Sequence, residues 1–275
     1  MVPLLSEGMR NRLLGLHLTH AGLAECMIAA CYQSVLKPGG GFVDVGARIG
    51  AHTVPMTRAV GPEGHGLAIE ANPDTLPRLK AALAAPGVPQ GVTHVLHAAA
   101  HDHVGEVQFH TRPQGQDGMS SIYAEALRTE DPGPKTTYPV PCTTLDAALA
   151  AHPLPKVDFL KIDVEDAEYL VLRGAGDLMA RHQPLIALEN LPREAAARGG
   201  YSAADWFGLF ETAGYHLVDM FWQPFTAADF AAKGDLPYSY FALPQGRDLG
   251  DLIPDHVYLG RLMQHARRLD PGFCP

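Results

Sequence analysis

The sequence predicts an α/β fold in which a doubly wound, mostly parallel sheet is covered by helices on both faces. Short apolar segments typical of buried strands alternate with segments of roughly 10–15 residues that have helical spacing, as right-handed parallel crossovers require. Acidic and glycine-containing turns directly follow several of the predicted strands. Ligands of such sheets bind beyond the carboxyl ends of the strands, so functional residues are expected at strand ends.

Two kinds of pattern predict the strands. Most are short apolar runs bounded by turn residues, whereas apolar and polar residues alternate at 104–110 and 138–142. The predicted strands comprise residues 42–45, 67–69, 92–96, 104–110, 138–142, 157–162, 185–188, 216–220 and 238–243.

Apolar residues at helical spacing predict the helices, and their ends coincide with residues that start or stop helices. Pro38 and Gly39 end the first helix, and Pro55 must lie in the first turn of the second helix or kink it. Asn72 is expected to cap the third helix, with Pro73 at its first position. The predicted helices comprise residues 21–36, 52–60, 73–84, 145–151, 166–172, 203–212 and 256–268.

The chain of 275 residues is long enough to bury a large core in one domain. Its 47% apolar and 19% charged residues are typical of a globular protein. We expect an N-terminal helical segment at 1–40, a core at 41–245 and a C-terminal helical tail at 246–275. Residues 111–141 are rich in Gly, Pro, Thr, Ser and Gln and form an insertion of the kind that often acts as a lid.

Charge and cysteine content restrict the partners and the compartment. The net charge of −9, with His neutral, argues against non-specific binding to nucleic acid or to anionic membranes. The N-terminus lacks the apolar run of a signal peptide, and no run approaches the ~18 apolar residues of a membrane helix. We expect a cytoplasmic protein, with a homodimer left open. Four cysteines form neither a C-x-x-C pair nor zinc-type spacing, which indicates a reducing compartment: Cys26, Cys31, Cys142 and Cys274.

The first predicted strand ends in a turn with an acid and spaced glycines, Asp44, Gly46, Arg48 and Gly50. Such a turn lets the backbone and the next helix N-terminus approach a ligand. An ordinary glycine turn is the alternative. A dinucleotide fingerprint would need glycines at 46, 48 and 51, and the last two positions hold Arg and Ala.

The second predicted strand ends in Glu70, Ala71 and Asn72. A carboxylate about 20 residues after the glycine turn can accept both hydroxyls of a ribose. A solvated Glu near a helix start is the alternative. The acid suits NAD and S-adenosylmethionine equally, but the missing glycines argue against NAD.

Two further strand ends carry candidate site residues. Ala100 and Asp102 follow the third strand, where small residues and a carboxylate would suit an adenine ring, although Asp102 also fits a turn. The fourth strand is followed by four acids, and their repulsion should raise some pKa values or recruit a cation. An acidic helix start explains two of these acids, Asp166 and Glu168, better than it explains Asp163 and Glu165.

The order of these motifs resembles the FkbM family of methyltransferases over about residues 42–190. The similar stretches are Phe42-Val43-Asp44-Val45-Gly46-Ala47-Arg48-Ile49-Gly50, Ala68-Ile69-Glu70-Ala71-Asn72-Pro73, Thr144-Leu145-Asp146, Lys161-Ile162-Asp163-Val164-Glu165-Asp166-Ala167-Glu168 and Leu172-Arg173-Gly174-Ala175. The family usually has Asn where this chain has Arg48, and Gly where it has Asp166.

This resemblance implies a Rossmann-like class I methyltransferase that moves the methyl group of S-adenosylmethionine to a hydroxyl of a sugar or natural product. It also implies that Ser120 and Ser121 lie in a lid over the cofactor and a small hydroxylated acceptor. The catalytic residues are expected to be Asp163, Glu165 and Glu189. The cofactor-binding residues are expected to be Asp44, Gly46, Arg48, Gly50, Glu70, Ala71, Asn72, Ala100, Asp102 and Asp163.

Whether the reaction uses a metal ion is left open by the sequence. Asp163, Glu189 and Asn190 follow neighbouring strands and offer oxygen ligands suited to Mg²⁺, a layout that resembles catechol-type O-methyltransferases. In the metal-free alternative, Asp163 or Glu165 is the general base and Glu189 orients the acceptor. The 14 histidines, His101 and His103 included, lack the spacing of a zinc site and are interpreted as surface or core residues.

Two other classes of function compete with a methyltransferase. An NAD-dependent oxidoreductase or epimerase would be expected to carry the complete glycine fingerprint and a Tyr-x-x-x-Lys pair. A catalytically inactive α/β interaction module would have no need of acids at successive strand ends. The sequence contains neither feature of the first class and retains the acids that the second would lose.

Overall fold

The computed structural model describes residues 22–112, 117–124, 136–189, 191–232, 239–247 and 255–271, together with residues 8 and 13. Its strands are β1 (Gly41–Val45), β2 (His65–Glu70), β3 (Thr93–His97), β4 (Ala99–Ala100), β5 (Gly105–Thr111), β6 (Thr136–Thr143), β7 (Phe159–Ile162), β8 (Leu185–Glu189), β9 (Tyr215–Asp219) and β10 (Ser239–Pro244). Its helices are α1 (Gly22–Val35), α2 (Thr53–Val60), α3 (Leu76–Leu83), α4 (Leu145–Ala151), α5 (Glu168–Arg173), α6 (Gly176–His182), α7 (Pro192–Gly199), α8 (Ala203–Thr212), α9 (Ala227–Ala231) and α10 (Asp255–Leu269).

A seven-stranded sheet in the order β3-β2-β1-β7-β8-β10-β9 forms the centre of the fold. Along this order, β3, β2, β1, β7 and β8 pair with one another in parallel. The strand β10 pairs antiparallel with both β8 and β9. The order reverses between β1 and β7, and ligands of open α/β sheets bind beyond the strands at such a point. The predicted doubly wound, mostly parallel fold is therefore confirmed.

Both faces of the central sheet are buried, which explains why its strands are apolar runs. On one face, Phe42 and Phe159 pack with Tyr32 of α1 and Tyr258 of α10. On the other face, residues of β7, β8 and β10 pack against α5, α6 and α8, with Trp206 completely buried. The helices α1 and α10 thus complete the helical layer that packs against β1 and β7.

A second sheet, in the order β4-β6-β5, lies next to the carboxyl end of β3. The strands β5 and β6 pair over seven positions from Gly105 to Thr111. The segment 117–124 returns to this hairpin, where His110 and Ser121 exchange two backbone hydrogen bonds of 2.8 and 3.1 Å. These hydrogen bonds attach the segment 117–124 to the hairpin.

Several predicted boundaries are wrong in ways that have local causes. The third helix begins at Leu76 with Thr75 as its N-cap, because Asn72 instead accepts the backbone N–H of Asp74 at 3.0 Å in a turn. The strand predicted at 138–142 begins two residues earlier, at Thr136, and ends at Thr143. The sequence analysis also missed α6, α7, α9 and the short strand β4.

Among the described residues, no helix combines the length and the apolar character that a membrane crossing requires. Cys26, Cys31 and Cys142 carry free thiols.

Candidate active site

A cavity of about 70 Å³ opens at the carboxyl ends of β1, β2 and β7. Its wall is formed by the turns after these three strands, by residues 98–100 and by the inserted residues 118–122. Of the residues predicted to form the site, the cavity is lined by Gly46, Arg48, Glu70, Ala71, Ala100, Ser120, Asp163 and Glu165. The predicted residues in the described ranges that lie outside this lining are Asp44, Gly50, Asn72, Asp102, Ser121 and Glu189.

The turn after β1 approaches the turn after β7 so closely that position 46 must be glycine. Gly46 has φ 81°, and a Cβ atom on it would lie 1.8 Å from the carbonyl oxygen of Asp163. The buried carboxylate of Asp44 accepts a 2.6 Å hydrogen bond from the Thr53 hydroxyl at the start of α2. The buried Asp44 carboxylate therefore attaches the turn to the start of α2, whereas the backbone of Gly46 forms part of the cavity wall.

Glu70 presents a buried carboxylate to the cavity. Its two oxygens accept backbone N–H groups from Arg48 and Asn72, each at 2.6 Å. Burial raises the pKa of Glu70 to about 7, against the opposing effect of these two hydrogen bonds. Each carboxylate oxygen has a second lone pair, so the group can still accept ribose hydroxyls.

The wall beside Glu70 is apolar and made of small residues. Ala98, Ala99 and Ala100 line it together with the ring of Phe109, which leaves room for a flat ring such as adenine. Asp102 lies beyond this wall, and its carboxylate contacts His101, His103 and Arg173 instead. Of the predicted contacts with the cofactor, the contact between Asp102 and adenine is therefore the one that this geometry supports least.

The inserted residues 118–122 cover the cavity and are held by two serines. Ser121 donates a 2.7 Å hydrogen bond to the carbonyl oxygen of Glu165, and the Ser120 hydroxyl accepts the backbone N–H of Arg112 at 3.1 Å. Gly118 lies against the guanidinium of Arg48, since a Cβ on it would come within 3.0 Å of the Arg48 Cζ. The position fits the predicted lid, and its movement stays a prediction.

A buried lysine that the sequence analysis missed lies beneath the acids. Lys161 is 2% exposed, and its ammonium donates a 2.7 Å hydrogen bond to Asp163 Oδ2. It is also the register partner of Asp44 on β1. The charges of Asp163, Asp44 and Glu189 raise its pKa above the ordinary lysine range in spite of its burial. The signal in the sequence was a lysine within the apolar run Phe159–Ile162.

The acids after β7 adopt strained backbone conformations. Glu165 and Asp166 have φ values of 54° and 82°, in the left-handed region that non-glycine residues rarely adopt. Burial and the nearby charges of Asp163 and Glu168 raise the pKa of Glu165 to about 8. Asp166 forms an ion pair with Arg198 of α7, so the residue that replaces the family's usual glycine has its own partner.

Glu189, at the end of β8, lies close to the same lysine. Its Oε2 is buried and has no hydrogen-bond partner among the described residues. Burial and the charge of Asp163 raise its pKa well above the ordinary value, although Lys161 opposes this shift. Asn190, the third predicted metal ligand, lies outside the described residues.

A histidine and a glutamate that the sequence analysis also missed lie on the α1 side of this cluster. His52 Nε2 is hydrogen-bonded to the carboxylate of Glu25, and its ring meets Tyr32 edge to face. The His52 Nδ1 is buried without a partner among the described residues. Glu25 in turn feels the charges of Lys161 and Arg48, so this pair belongs to the same electrostatic unit.

Solved structures of methyltransferases resemble this chain at low identity. An FkbM methyltransferase from Methylobacillus flagellatus KT shares 14% identity, with coverage of 77% of this chain and a TM-score of 0.44. This chain spans about half of that protein, 49% of its length. The O-methyltransferase TomG from Streptomyces achromogenes, solved in complex with SAM, shares 12% identity over 90% of this chain and 93% of its own, with a TM-score of 0.43.

An archaeal structure is similar in the same degree. Fibrillarin from Aeropyrum pernix, with natively bound S-adenosyl-L-methionine, shares 15% identity over 78% of this chain and 73% of its own, with a TM-score of 0.42. No curated protein matches the chain by sequence. The sequence model of the Methyltransferase FkbM domain matches residues 44–217, which is more than half of the chain. The chain therefore belongs to the family of FkbM methyltransferases.

Proposed function

We propose that the protein transfers the methyl group of S-adenosylmethionine to a hydroxyl of a small acceptor, such as a sugar or a natural product. One observation carries this proposal: Glu165, whose pKa of about 8 suits a general base, and Asp163 line the same cavity as Glu70 and Gly46. The proposed base and the residues expected to hold the cofactor thus line one cavity.

The residues that line the cavity offer groups that suit the separate parts of the cofactor. Gly46 leaves the space beside Asp163 free of a side chain, Glu70 offers acceptor lone pairs to a ribose, and residues 98–100 offer a flat apolar wall. The bound cofactor would supply an already activated methyl group on its sulfonium. The protein must then align the acceptor and remove one proton, and alignment alone can contribute up to ~7–11 kcal/mol.

Glu165 is the proposed general base. Its carboxyl lines the cavity, and a pKa near the working pH balances the fraction that is ionised against basicity. Asp163 is held in place by the Lys161 ammonium and is proposed to orient the acceptor hydroxyl. Glu189, whose Oε2 lacks a partner among the described residues, is proposed to take a second hydrogen bond from the acceptor.

The predicted magnesium site does not fit this arrangement. The Lys161 ammonium bonds the Oδ2 of Asp163 and also faces Glu189, so it supplies the positive charge that the crowded acids were expected to recruit. We therefore propose a metal-free reaction. Full turnover after exhaustive EDTA dialysis is the expected result. Activity that returns only with added Mg²⁺ would instead support a magnesium-dependent reaction.

Formation of S-adenosylhomocysteine from S-adenosylmethionine, measured against a panel of hydroxylated acceptors, tests the function itself. Asp163→Asn and Glu165→Gln should each abolish most turnover while the S-adenosylhomocysteine affinity is retained. Asp177→Asn, at an exposed acid on α6, is the matched control. A rise in melting temperature with NAD rather than with S-adenosylhomocysteine would instead favour an oxidoreductase, and no rise with either would favour an inactive module.

A further inference from the structure

His101, Asp102 and His103 form a cluster in the turn between β4 and β5, outside the lining of the active-site cavity. The Nδ1 atoms of His101 and His103 lie 2.7 and 3.0 Å from the same oxygen, Asp102 Oδ1. One ligand atom from each residue therefore lies within 4.8 Å of the other two. In the described part of the chain, no other group of three such side chains was found to converge in this way.

His101 and Asp102 share a contact that a cation can take over. The backbone N–H of Asp102 lies 2.9 Å from His101 Nδ1, and Asp102 Oδ1 lies 2.7 Å from the same nitrogen. Without a cation, a proton on Nδ1 that is donated to the carboxylate satisfies the 2.7 Å contact. A cation that replaced this proton would be bound by one imidazole nitrogen and one carboxylate oxygen.

The ring of His103 is oriented in a way that suits the same cation. Its Nε2 lies 3.6 Å from the sulfur of Cys142, a weak acceptor. A hydrogen on Nε2 directed at this sulfur leaves the Nδ1 lone pair facing Asp102. Metal-binding imidazoles are generally held in this manner, by a partner on the nitrogen that does not bind the metal.

The backbone that carries the cluster is fixed on both sides. The His101 N–H donates a 2.8 Å hydrogen bond to Thr143 O, which continues the pairing of β4 with β6. On the other side, a Cβ on Gly174 would come within 2.3 Å of His101 O, so the chain passes against α5 with no space to spare. The backbone at His101 is therefore held in place by the fold.

We propose that His101, Asp102 and His103 form a binding site for a divalent transition-metal ion of the Zn²⁺ type. Two imidazole nitrogens and one carboxylate oxygen are a ligand set that Zn²⁺ accepts, and the exposed side of His103, 54% accessible, admits water to complete the coordination. The bound ion would hold the turn between β4 and β5 and is separate from catalysis. This proposal does not depend on the acceptor or on the methyl-transfer chemistry.

Arg173 makes a specific prediction possible. Its guanidinium lies 3.3 Å from Asp102 Oδ2, the oxygen that does not face the histidines. This positive charge should weaken the binding of a second cation at the same carboxylate. Arg173→Gln should therefore bind Zn²⁺ more tightly than the wild type, a result that a cluster held together by a shared proton would not give.

Titration calorimetry of the metal-stripped full chain with Zn²⁺, and the absorption spectrum with Co²⁺ as a probe, test the proposal. Asp102→Asn and His103→Ala should each lower the Zn²⁺ affinity at least about tenfold, while circular dichroism confirms that they fold. His94→Ala is the control, because His94 and His152 form another close pair, with ring centroids 3.7 Å apart. Absence of stoichiometric binding, or binding unchanged in His103→Ala and lost in His94→Ala, would overturn the site.

Discussion

Lys161 Nζ lies 2.7 Å from Asp163 Oδ2, and this buried ion pair stands where the sequence alone favoured a cluster of uncompensated acids. The lysine is 2% exposed and the aspartate side chain is 25% exposed, so the carboxylate reaches from the core toward the cavity. Removal of one member of a buried pair leaves the other charge without compensation. The pair is therefore expected to control both the fold and the ionisation of the site.

Lys161→Met should destabilise the protein by about 3–5 kcal/mol, the range for breaking a buried ion pair from one side. Urea unfolding followed by circular dichroism measures this change. The double variant Lys161→Met/Asp163→Asn should recover part of the loss, because the buried charge is then removed as well. If the single and double variants are equally unstable, the lost packing of the lysine side chain explains the effect and the charge does not.

Glu70→Ala should weaken the binding of S-adenosylhomocysteine by about 1.5–3 kcal/mol, the scale of hydrogen bonds to a charged group. The reason is the loss of the carboxylate that two backbone N–H groups hold at the cavity wall. Titration calorimetry provides the measurement, with Glu63→Gln at an exposed position as the control. Unchanged affinity in Glu70→Ala would show that Glu70 does not bind the ribose hydroxyls of the cofactor.

The raised pKa of Glu165 predicts how stability changes with pH. Its carboxyl binds a proton up to about pH 8 in the folded state and only up to about pH 4.5 in an ordinary environment. The folded state therefore holds more protons between these values, and this contribution to stability is lost as the pH rises. Each such proton changes the free energy of unfolding by about 1.4 kcal/mol per pH unit.

Glu165→Gln should remove this dependence. The difference in unfolding free energy between wild type and variant should shift in favour of the variant as the pH is raised from 5 to 8. Glu70, whose ionisation does not depend on Glu165, contributes equally to both proteins, whereas Glu189 feels the charge of Glu165 and follows the substitution. A difference that stays constant with pH would show that Glu165 has an ordinary pKa and would weaken its case as the base.

The parts of the fold that the sequence predicted are those whose local pattern and tertiary environment agree. β1 and β7 are buried on both faces and are apolar throughout apart from Asp44 and Lys161. The helix α7 was missed because its sequence, PREAAARG, is polar and has only a short apolar face. Lys161 left a signal in the sequence, but the full set of acids around it could not be predicted, because Asp44 and Glu189 come from strands that only the sheet order brings together.

Asp166→Gly should cost little stability or increase it by about 1 kcal/mol. The φ of 82° is a conformation that costs a non-glycine residue roughly 1–2 kcal/mol, and glycine relieves it. Burial also raises the pKa of the Asp166 carboxyl, in opposition to the effect of Arg198.

Arg198→Ala, in contrast, should destabilise the protein because it leaves this carboxyl without its partner. Chemical unfolding of both single variants and the double variant separates the two effects, and equal losses in both single variants would contradict the argument.

Gly118→Val should open the lid over the cavity. A Cβ at this position would lie 3.0 to 3.2 Å from three atoms of the Arg48 guanidinium group, so a branched side chain must push the inserted segment or Arg48 away. Hydrogen exchange at residues 117–124 should then become faster, and S-adenosylhomocysteine should slow it less than in the wild type. Gly208→Val, at a helix position where a Cβ meets no atom within 4 Å, is the matched control for the substitution itself. If the ligand leaves exchange in this segment unaltered in the wild type, the segment is a fixed wall of the site and the predicted lid movement is wrong.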